Sequence, residues 1–279
     1  MSIFERLQPR VDLTVEYLKL DKAICNEKDR YGTTINGILA QNFRSWKYRG
    51  NYMSLQELRG ELGLNIENFE PVSGYVYKQI NENDFFLFCE LFSNLCDAFA
   101  EKIEHAGFTE NFIDIFTTMQ TDLAVLNYSV QRLLDGRLVI VETNPAATAV
   151  SKTAEPDLSD KIIEYNHYLL RGDLAKKREI LRALSHKFDA IKSSLKSINS
   201  GLEDKASFLL NNLNIRHNNK DMQSKDYRKF VDDMSDDDLE HWYDETYQTL
   251  LFAILAVDQV ARNQAIDELK TKSRKPREI

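Results

Sequence analysis

The scarcity of glycine and proline is the feature that most limits what this chain can fold into. The 279 residues include ten glycines and five prolines, the two residue types that interrupt helices and mark turns. Apolar residues recur at spacings of three and four through most of the sequence, as they do on one face of an α-helix. The sequence therefore predicts an all-α fold built from long helices.

One short stretch departs from the helical pattern. Asp135-Gly136 predicts a sharp turn into a β-strand at 137–143, Arg-Leu-Val-Ile-Val-Glu-Thr. A strand needs a hydrogen-bonding partner, and the β-favouring run at 72–77, Val-Ser-Gly-Tyr-Val-Tyr, is a candidate for it. The residues from 109 to 134 predict another long helix. The expected fold thus contains at most one small β-hairpin.

The length of the chain favours two domains, because single hydrophobic cores stop growing near this size. The segment 144–156 is rich in small residues and holds two prolines, which indicates a linker or a domain boundary. We therefore expect an N-terminal helical region at 1–150, a helical bundle at 157–269 and a basic, flexible tail at 270–279.

Charge and cysteine content exclude several classes of protein. The formal net charge of −8 argues against non-specific coating of nucleic acid, which requires many cations, but it permits a local basic site. The three cysteines form neither an even-numbered disulfide framework nor a CxxC metal motif. No apolar run approaches the roughly 18 residues of a membrane span, and residues 1–10 lack a secretory signal. We expect a soluble, cytoplasmic protein that does not enter a membrane and has no metal or cofactor.

The segment Asn211–Asn219, Asn-Asn-Leu-Asn-Ile-Arg-His-Asn-Asn, is the most unusual part of the sequence. Asparagine favours turns and helix ends, since its short side chain bonds to nearby backbone and tolerates left-handed geometry. A turn with capping asparagines is therefore one interpretation. A turn alone requires neither the cation of Arg216 nor the imidazole of His217, so a functional site is the other.

Four segments follow one another along the chain: the strand-like Asp135–Val141, Tyr168–Arg178 before a long helix, Leu213–Asn219, and Trp242-Tyr243 in the final helix. Together they resemble a HEPN domain of the abortive-infection C-terminal kind. The resemblance covers about 157–269. It implies a bundle of four or five helices and, in many members, a metal-independent ribonuclease of a defence or toxin–antitoxin system. Arg216 matches the motif arginine and His217 the polar residue after it; Lys220, Asp221 and Met222 stand where the second histidine is expected.

Cutting RNA without a metal requires a base, an acid and a cation that faces the developing phosphorane charge. Arg216 is the candidate for the cation, and His217 is the candidate for proton transfer. One chain offers too few groups, so the hypothesis includes a homodimer with a composite site. It assigns RNA contacts to five neighbouring residues: Asn212, Asn214, Asn218, Asn219 and Lys220.

Two alternatives stay open beside this endoribonuclease hypothesis. The first is a non-catalytic HEPN-like module that recognises a partner or antitoxin protein, a nucleotide or RNA; the missing second histidine and the acidic net charge favour it. The second is a structural role, in which Arg216 is buried in a salt bridge, for example with Asp233 or Glu240.

The N-terminal region contains one further composition of interest. Residues 43–50, Phe-Arg-Ser-Trp-Lys-Tyr-Arg-Gly, alternate aromatic and cationic side chains. Aromatic rings stack on bases and cations bind phosphates, so this stretch is typical of a nucleic-acid contact. Packing of an amphipathic helix explains the same pattern equally well.

Overall fold

The computed structural model describes residues 11–29, 31–64 and 79–273. Within them it contains α-helices and one two-stranded antiparallel sheet, which confirms the predicted all-α class with a small hairpin. The chain divides into two compact units, Met1–Thr143 and Asn144–Ile279.

The first unit contains six described α-helices, and the first four of them begin at a short polar side chain. They are α1 (Leu13–Asn26), α2 (Ile35–Asn42), α3 (Leu55–Glu61), α4 (Glu82–Ala98), α5 (Ala100–His105) and α6 (Thr109–Val125). Asp12 accepts hydrogen bonds from the amides of Thr14 and Val15 at the start of α1. Asn81 does the same for Asp84 at the start of α4. These caps satisfy amides that have no partner inside the helix.

Helix α4 forms the centre of the first unit. Its buried side chains include Phe85, Phe86, Phe88, Cys89, Phe92, Leu95 and Cys96. Phe88 packs on Tyr17 of α1, with 4.6 Å between ring centroids. Nearby, Arg59 of α3 forms an ion pair of 2.5 Å with the buried carboxylate of Asp21. Aromatic burial and one internal ion pair therefore join α1, α3 and α4.

The predicted helix at 109–134 is wrong in its second half. Helix α6 ends at Val125, and Asn127 has a left-handed backbone with φ of 65°. Strand β1 (Tyr128–Arg132) follows and pairs antiparallel with β2 (Leu138–Glu142), with Val130 opposite Ile140. The strand predicted at 137–143 therefore exists, and its partner is β1. The proposed partner at 72–77 lies outside the described residues.

The second unit begins directly after the hairpin. Its helices are α7 (Pro145–Ser151), α8 (Pro156–Tyr165), α9 (Leu174–Ile198), α10 (Ser200–Asn212), α11 (Lys229–Asp232) and α12 (Asp236–Ser273). The segment 144–156, predicted as a linker or a domain boundary, starts where the two units divide and is largely helical. Pro145 and Pro156 occupy the first positions of their helices. Backbone N–H groups at that position make no intrahelical hydrogen bond, so proline, which lacks an N–H, costs none there.

The core of the second unit lies mainly between α9 and α12. Helix α8 adds to this core, because its Tyr165 stacks on Tyr247 of α12 with ring centroids 3.9 Å apart. The buried ammonium of Lys177 lies 2.7 Å from carboxylate oxygens of both Glu240 and Asp244, so two acids on α12 compensate the charge that α9 buries.

Helix α12 continues past this core. The described end of the chain is helical to Ser273, so the first four residues of the predicted tail at 270–279 continue this helix, and 274–279 lie outside the described residues. Every side chain from 261 to 273 is exposed. About a third of α12 therefore covers no core.

Candidate functional site

The segment Asn211–Asn219 forms a tight turn at the C-terminus of α10. The helix ends at Asn212, and Asn214 adopts a left-handed conformation with φ of 58°, which asparagine tolerates better than most residues. The amide of Arg216 donates to the carbonyl of Leu210 at 3.2 Å. The backbone thus folds back over the last turn of α10.

Asn214 and Asn219 hold the turn closed by a reciprocal pair of hydrogen bonds. The Asn214 amide donates to Asn219 Oδ1 at 2.6 Å, and the Asn219 amide donates to Asn214 Oδ1 at 3.0 Å. Asn219 is 0% exposed, and its Nδ2 donates to the carbonyl of Asp226 at 2.6 Å. Asn212 Oδ1 accepts from Arg228 Nε at 2.9 Å. Three predicted RNA-contacting asparagines therefore use their side chains to build the turn.

The guanidinium group of Arg216 is bound to helix α9. Its Nη2 donates to Asp189 Oδ1 at 2.7 Å and to the carbonyl of Ser185 at 3.0 Å. Its central carbon lies 5.9 Å from the ring centroid of Phe188. The side chain is 18% exposed. The salt-bridge partner of Arg216 is therefore Asp189, not Asp233 or Glu240.

His217 lies at the surface of the turn. Its Nδ1 is 3.5 Å from Asp226 Oδ2, and its carbonyl accepts a weak hydrogen bond of 3.5 Å from Arg178 Nη2. The neighbouring Asn218 is exposed and donates to Asp221 Oδ2 at 3.2 Å. Lys220 Nζ lies 4.0 Å from Asp236. The imidazole is thus open to solvent on one side and faces a carboxylate on the other.

One face of α9 contributes residues that sequence reasoning missed. Arg178, Ser185 and Asp189 are separated by seven and four residues, so they share a helix face, and all three bind Arg216 or His217. Arg178 Nε is buried with no hydrogen-bond partner in the part of the chain described here. Burial raises the pKa of the neighbouring Tyr243 hydroxyl, and the charge of Arg178 lowers it. The helical spacing of these three residues is the sequence signal that could have placed them on one face of α9.

These contacts limit the chemistry that the turn can perform. Proton transfer needs an accessible imidazole, which His217 provides. Phosphorane stabilisation needs a cation whose charge is available, whereas the charge of Arg216 is matched by Asp189 at 2.7 Å. The turn therefore presents one accessible imidazole without an available cation from Arg216.

The described residues contain neither a metal-binding cluster nor a membrane-spanning helix. No group of three or more histidine, cysteine, aspartate or glutamate side chains there is arranged to hold a metal ion. No helix in the same ranges has the length and apolarity needed to cross a membrane.

Comparisons of the chain with protein-family models, with curated proteins and with solved structures found no match.

Proposed function

We propose that the C-terminal unit is a HEPN-like binding and regulatory module that does not cut RNA. The observation that supports this most is the ion pair of 2.7 Å between Arg216 and Asp189. The resemblance also suggests the setting, a prokaryotic antiviral defence or toxin–antitoxin system, in which the module acts through a bound partner.

The ion pair weakens catalysis because a transition state is stabilised by groups that are already placed and charged for it. To face a phosphorane, Arg216 would have to leave Asp189 and the Ser185 carbonyl. Hydrogen bonds to charged groups contribute about 1.5 to 3 kcal/mol each. That cost would be added to the activation barrier. A second imidazole is also absent from the motif, since Lys220, Asp221 and Met222 occupy its place.

Incubation of the purified protein with total RNA in EDTA tests the proposal. We expect intact RNA from the wild type and from the His217→Ala variant. His217 is exposed, so its replacement leaves the core unchanged, and Gln223→Ala, at an exposed position with no assigned RNA contact, serves as the matched control. Cleavage that survives EDTA, disappears in His217→Ala and persists in Gln223→Ala would overturn the proposal.

That second outcome would establish the other candidate function, a metal-independent endoribonuclease. The contact between His217 and Asp226 favours it, because a carboxylate 3.5 Å from an imidazole can orient the ring for proton transfer. On this alternative, Arg178 is a candidate for the cation, since its Nη2 already donates to the His217 carbonyl.

We propose a second copy of the chain as the partner of the module. The 3–4 spacing of the buried residues Tyr247, Leu250 and Ile254 continues through Val257, Ala261, Ala265 and Leu269. The last three of these are exposed. The exposed stretch 261–273 packs on no core, and a helix of that length is marginal in water without packing. Pairing of this stretch with another helix would therefore stabilise it.

The charges on this stretch suit antiparallel pairing with itself. About a two-fold axis at Ala265, Asp258 of one copy lies opposite Lys272 of the other, and Arg262 lies opposite Glu268. Opposite charges that flank an apolar seam set partner choice and orientation in coiled coils. The symmetric pair that results is the arrangement that most homodimers adopt.

A further inference from the structure

A cavity in the first unit is lined in part by the aromatic and cationic segment 43–50. Its volume is about 260 Å³, and it lies among the loop after α2, helices α3 and α4, and the start of β2. Trp46, Tyr48 and Tyr52 supply its aromatic wall, and Arg49 and Arg137 supply its cations. The cavity belongs to the first unit, whereas the turn at Asn211–Asn219 belongs to the second.

Arg49 is held in place without being neutralised. Its Nε donates to the carbonyl of Arg44 at 3.0 Å, and its Nη1 donates to the carbonyls of Gly50 and Tyr52 at 3.1 and 2.9 Å. Within the described ranges it forms no ion pair with a carboxylate, and its Nη2 has no hydrogen-bond partner. Carbonyl groups therefore orient the guanidinium and leave its charge and one nitrogen available to an anion.

Side chains of α4 cover the outer edge of β2 at the floor of the cavity. Asn94 accepts from the Leu138 amide at 2.9 Å and donates to the Leu138 carbonyl at 2.6 Å. Glu90 Oε2 accepts from the Ile140 amide at 2.9 Å. These bonds satisfy backbone groups that an edge strand would otherwise expose. Arg137 is paired with Asp135 at 2.6 Å, so the aromatic wall and Arg49 are left to select a ligand.

The aromatic wall is ordered by its own contacts. Trp46 and Tyr48 meet edge to face with centroids 6.1 Å apart. The Tyr48 hydroxyl donates to the Asp135 carbonyl at 2.8 Å, and Lys47 lies 4.4 Å from the Tyr48 ring centroid. A flat ring can pack against this wall, where stacking of a base contributes about 1 to 3 kcal/mol.

We propose that this cavity binds a nucleoside phosphate, with its base against Trp46, Tyr48 and Tyr52 and its phosphate on Arg49. A cavity of about 260 Å³ is at the small end of ligand sites, so it suits one nucleotide, either free or at the end of an RNA strand. An uncharged aromatic compound would leave Arg49 unused, and a bare anion would leave the aromatic wall unused. The pairing of the two features is what indicates a nucleotide.

Tryptophan fluorescence provides the test, because the chain has two tryptophans, Trp46 and Trp242. In a Trp242→Phe background, the signal comes from the cavity wall. We would titrate the full chain with each of the four nucleoside 5′-monophosphates, the matching nucleosides, inorganic phosphate and a pentanucleotide RNA. We expect a monophosphate or the pentanucleotide to change the fluorescence, and the matching nucleoside to bind about tenfold more weakly. Tighter binding of the pentanucleotide identifies an RNA strand as the source, and tighter binding of the monophosphate identifies a free nucleotide.

Three variants make the result specific. Arg49→Gln should weaken binding by about tenfold or more, and Leu62→Phe should do the same by filling the cavity without removing a charge. Arg44→Gln is the matched control, since Arg44 lies in the same loop, donates to the carbonyl of Met53 and does not line the cavity; its affinity should stay at the wild-type value. Equal affinity in Leu62→Phe and the wild type, nucleoside binding as tight as nucleotide binding, or no fluorescence change at about 1 mM ligand would overturn the proposal.

Discussion

Arg49 and Arg216 are both half-buried arginines in polar turns, and their hydrogen-bond partners differ. Arg216 donates to the carboxylate of Asp189 at 2.7 Å, which neutralises its charge. Arg49 donates to three backbone carbonyls, which orient the group without neutralising it. The same side chain therefore has a different role in each turn. The charge of Arg216 stabilises the fold, whereas the charge of Arg49 remains available to a ligand.

The largest expected effect concerns the asparagine pair that closes the turn around Arg216. Asn219→Ala removes a buried side chain and takes the hydrogen bond away from each of its two partners, the Asn214 amide and the Asp226 carbonyl. Each buried group left unsatisfied costs about 1 to 3 kcal/mol, so we expect the unfolding free energy of the second unit to fall by about 3 kcal/mol. Urea denaturation measures this change. Asn218→Ala, at an exposed position, should change it by less than about 0.5 kcal/mol, and equal effects would show that the turn does not depend on the asparagine pair.

Asp189→Asn tests the comparison between the arginines directly. It preserves the shape of the side chain and removes the charge that neutralises Arg216, so Arg216 acquires a neutral partner, as Arg49 has. Because Asp189 is 52% exposed, we expect a loss of about 1 kcal/mol in unfolding free energy. We also expect new phosphate binding near Arg216, measured by chemical shift changes. If the variant binds phosphate no better than the wild type, the carboxylate is not what occupies Arg216.

A buried carboxylate in the first unit offers a pH-dependent effect of similar size. Asp122 Oδ2 is buried with no hydrogen-bond partner in the described ranges. Burial, with a smaller contribution from Glu16, raises the pKa of Asp122 to about 6, while Lys19 opposes the rise. The folded state therefore binds a proton more tightly than the unfolded state, and its stability from this group falls as pH rises from about 4 to 6.

Removal of that charge should reverse the loss. We expect Asp122→Asn to raise the unfolding free energy by about 1 kcal/mol at pH 8 and to have no stabilising effect at pH 4. Thermal unfolding at the two pH values measures the difference. Ser93→Ala, at a buried neutral position that contacts Met119 of the same helix as Asp122, is the control, because any change it causes should be the same at both pH values.

The smallest effect concerns self-association through α12. Lys272→Glu places like charges opposite Asp258 at two symmetric positions of the proposed dimer. Surface ion pairs contribute about 0.2 to 1 kcal/mol each, so the dissociation constant should rise roughly fivefold. Sedimentation equilibrium measures it. Adding Asp258→Lys to this variant should restore association by exchanging the charges; failure of the double variant to recover would exclude the antiparallel arrangement about Ala265.

The sequence predicted helices well and the partner of β2 poorly, for a definite physical reason. Leu126, Val130, Leu133 and Leu134 keep a 3–4 spacing, so the helical pattern of α6 continues into β1. The helix ends where Asn127 adopts φ of 65°, a local event that spacing does not record. The helix α7 was missed because Pro145 resembles a linker residue until its position at the helix N-terminus is known.

At the turn, the sequence indicated the right segment but not the roles of its side chains. Asparagines at 211–219 predicted a turn, and that much depends on local chemistry. The partner of Arg216 lies 27 residues earlier in the chain, whereas the structural alternative gave Asp233 and Glu240 as examples of a partner. The geometry of the α9 and α10 packing selects Asp189, and a single sequence does not determine such a long-range pair. The sequence indicated the cavity at Arg49 only indirectly, through the mixture of aromatic and cationic residues at 43–50.

The arginine Nε–H resonances test the central claim most directly. We would record them by NMR in protein labelled with ¹⁵N-arginine, assign Arg49 and Arg216 from the Arg49→Gln and Arg216→Gln variants, and titrate the wild type with a nucleoside monophosphate. The contrast between carbonyl and carboxylate partners predicts that the Arg49 resonance shifts with saturation and that the Arg216 resonance stays in place. A saturating shift of Arg216 with an unchanged Arg49 would contradict the account and return the functional site to the asparagine-rich turn.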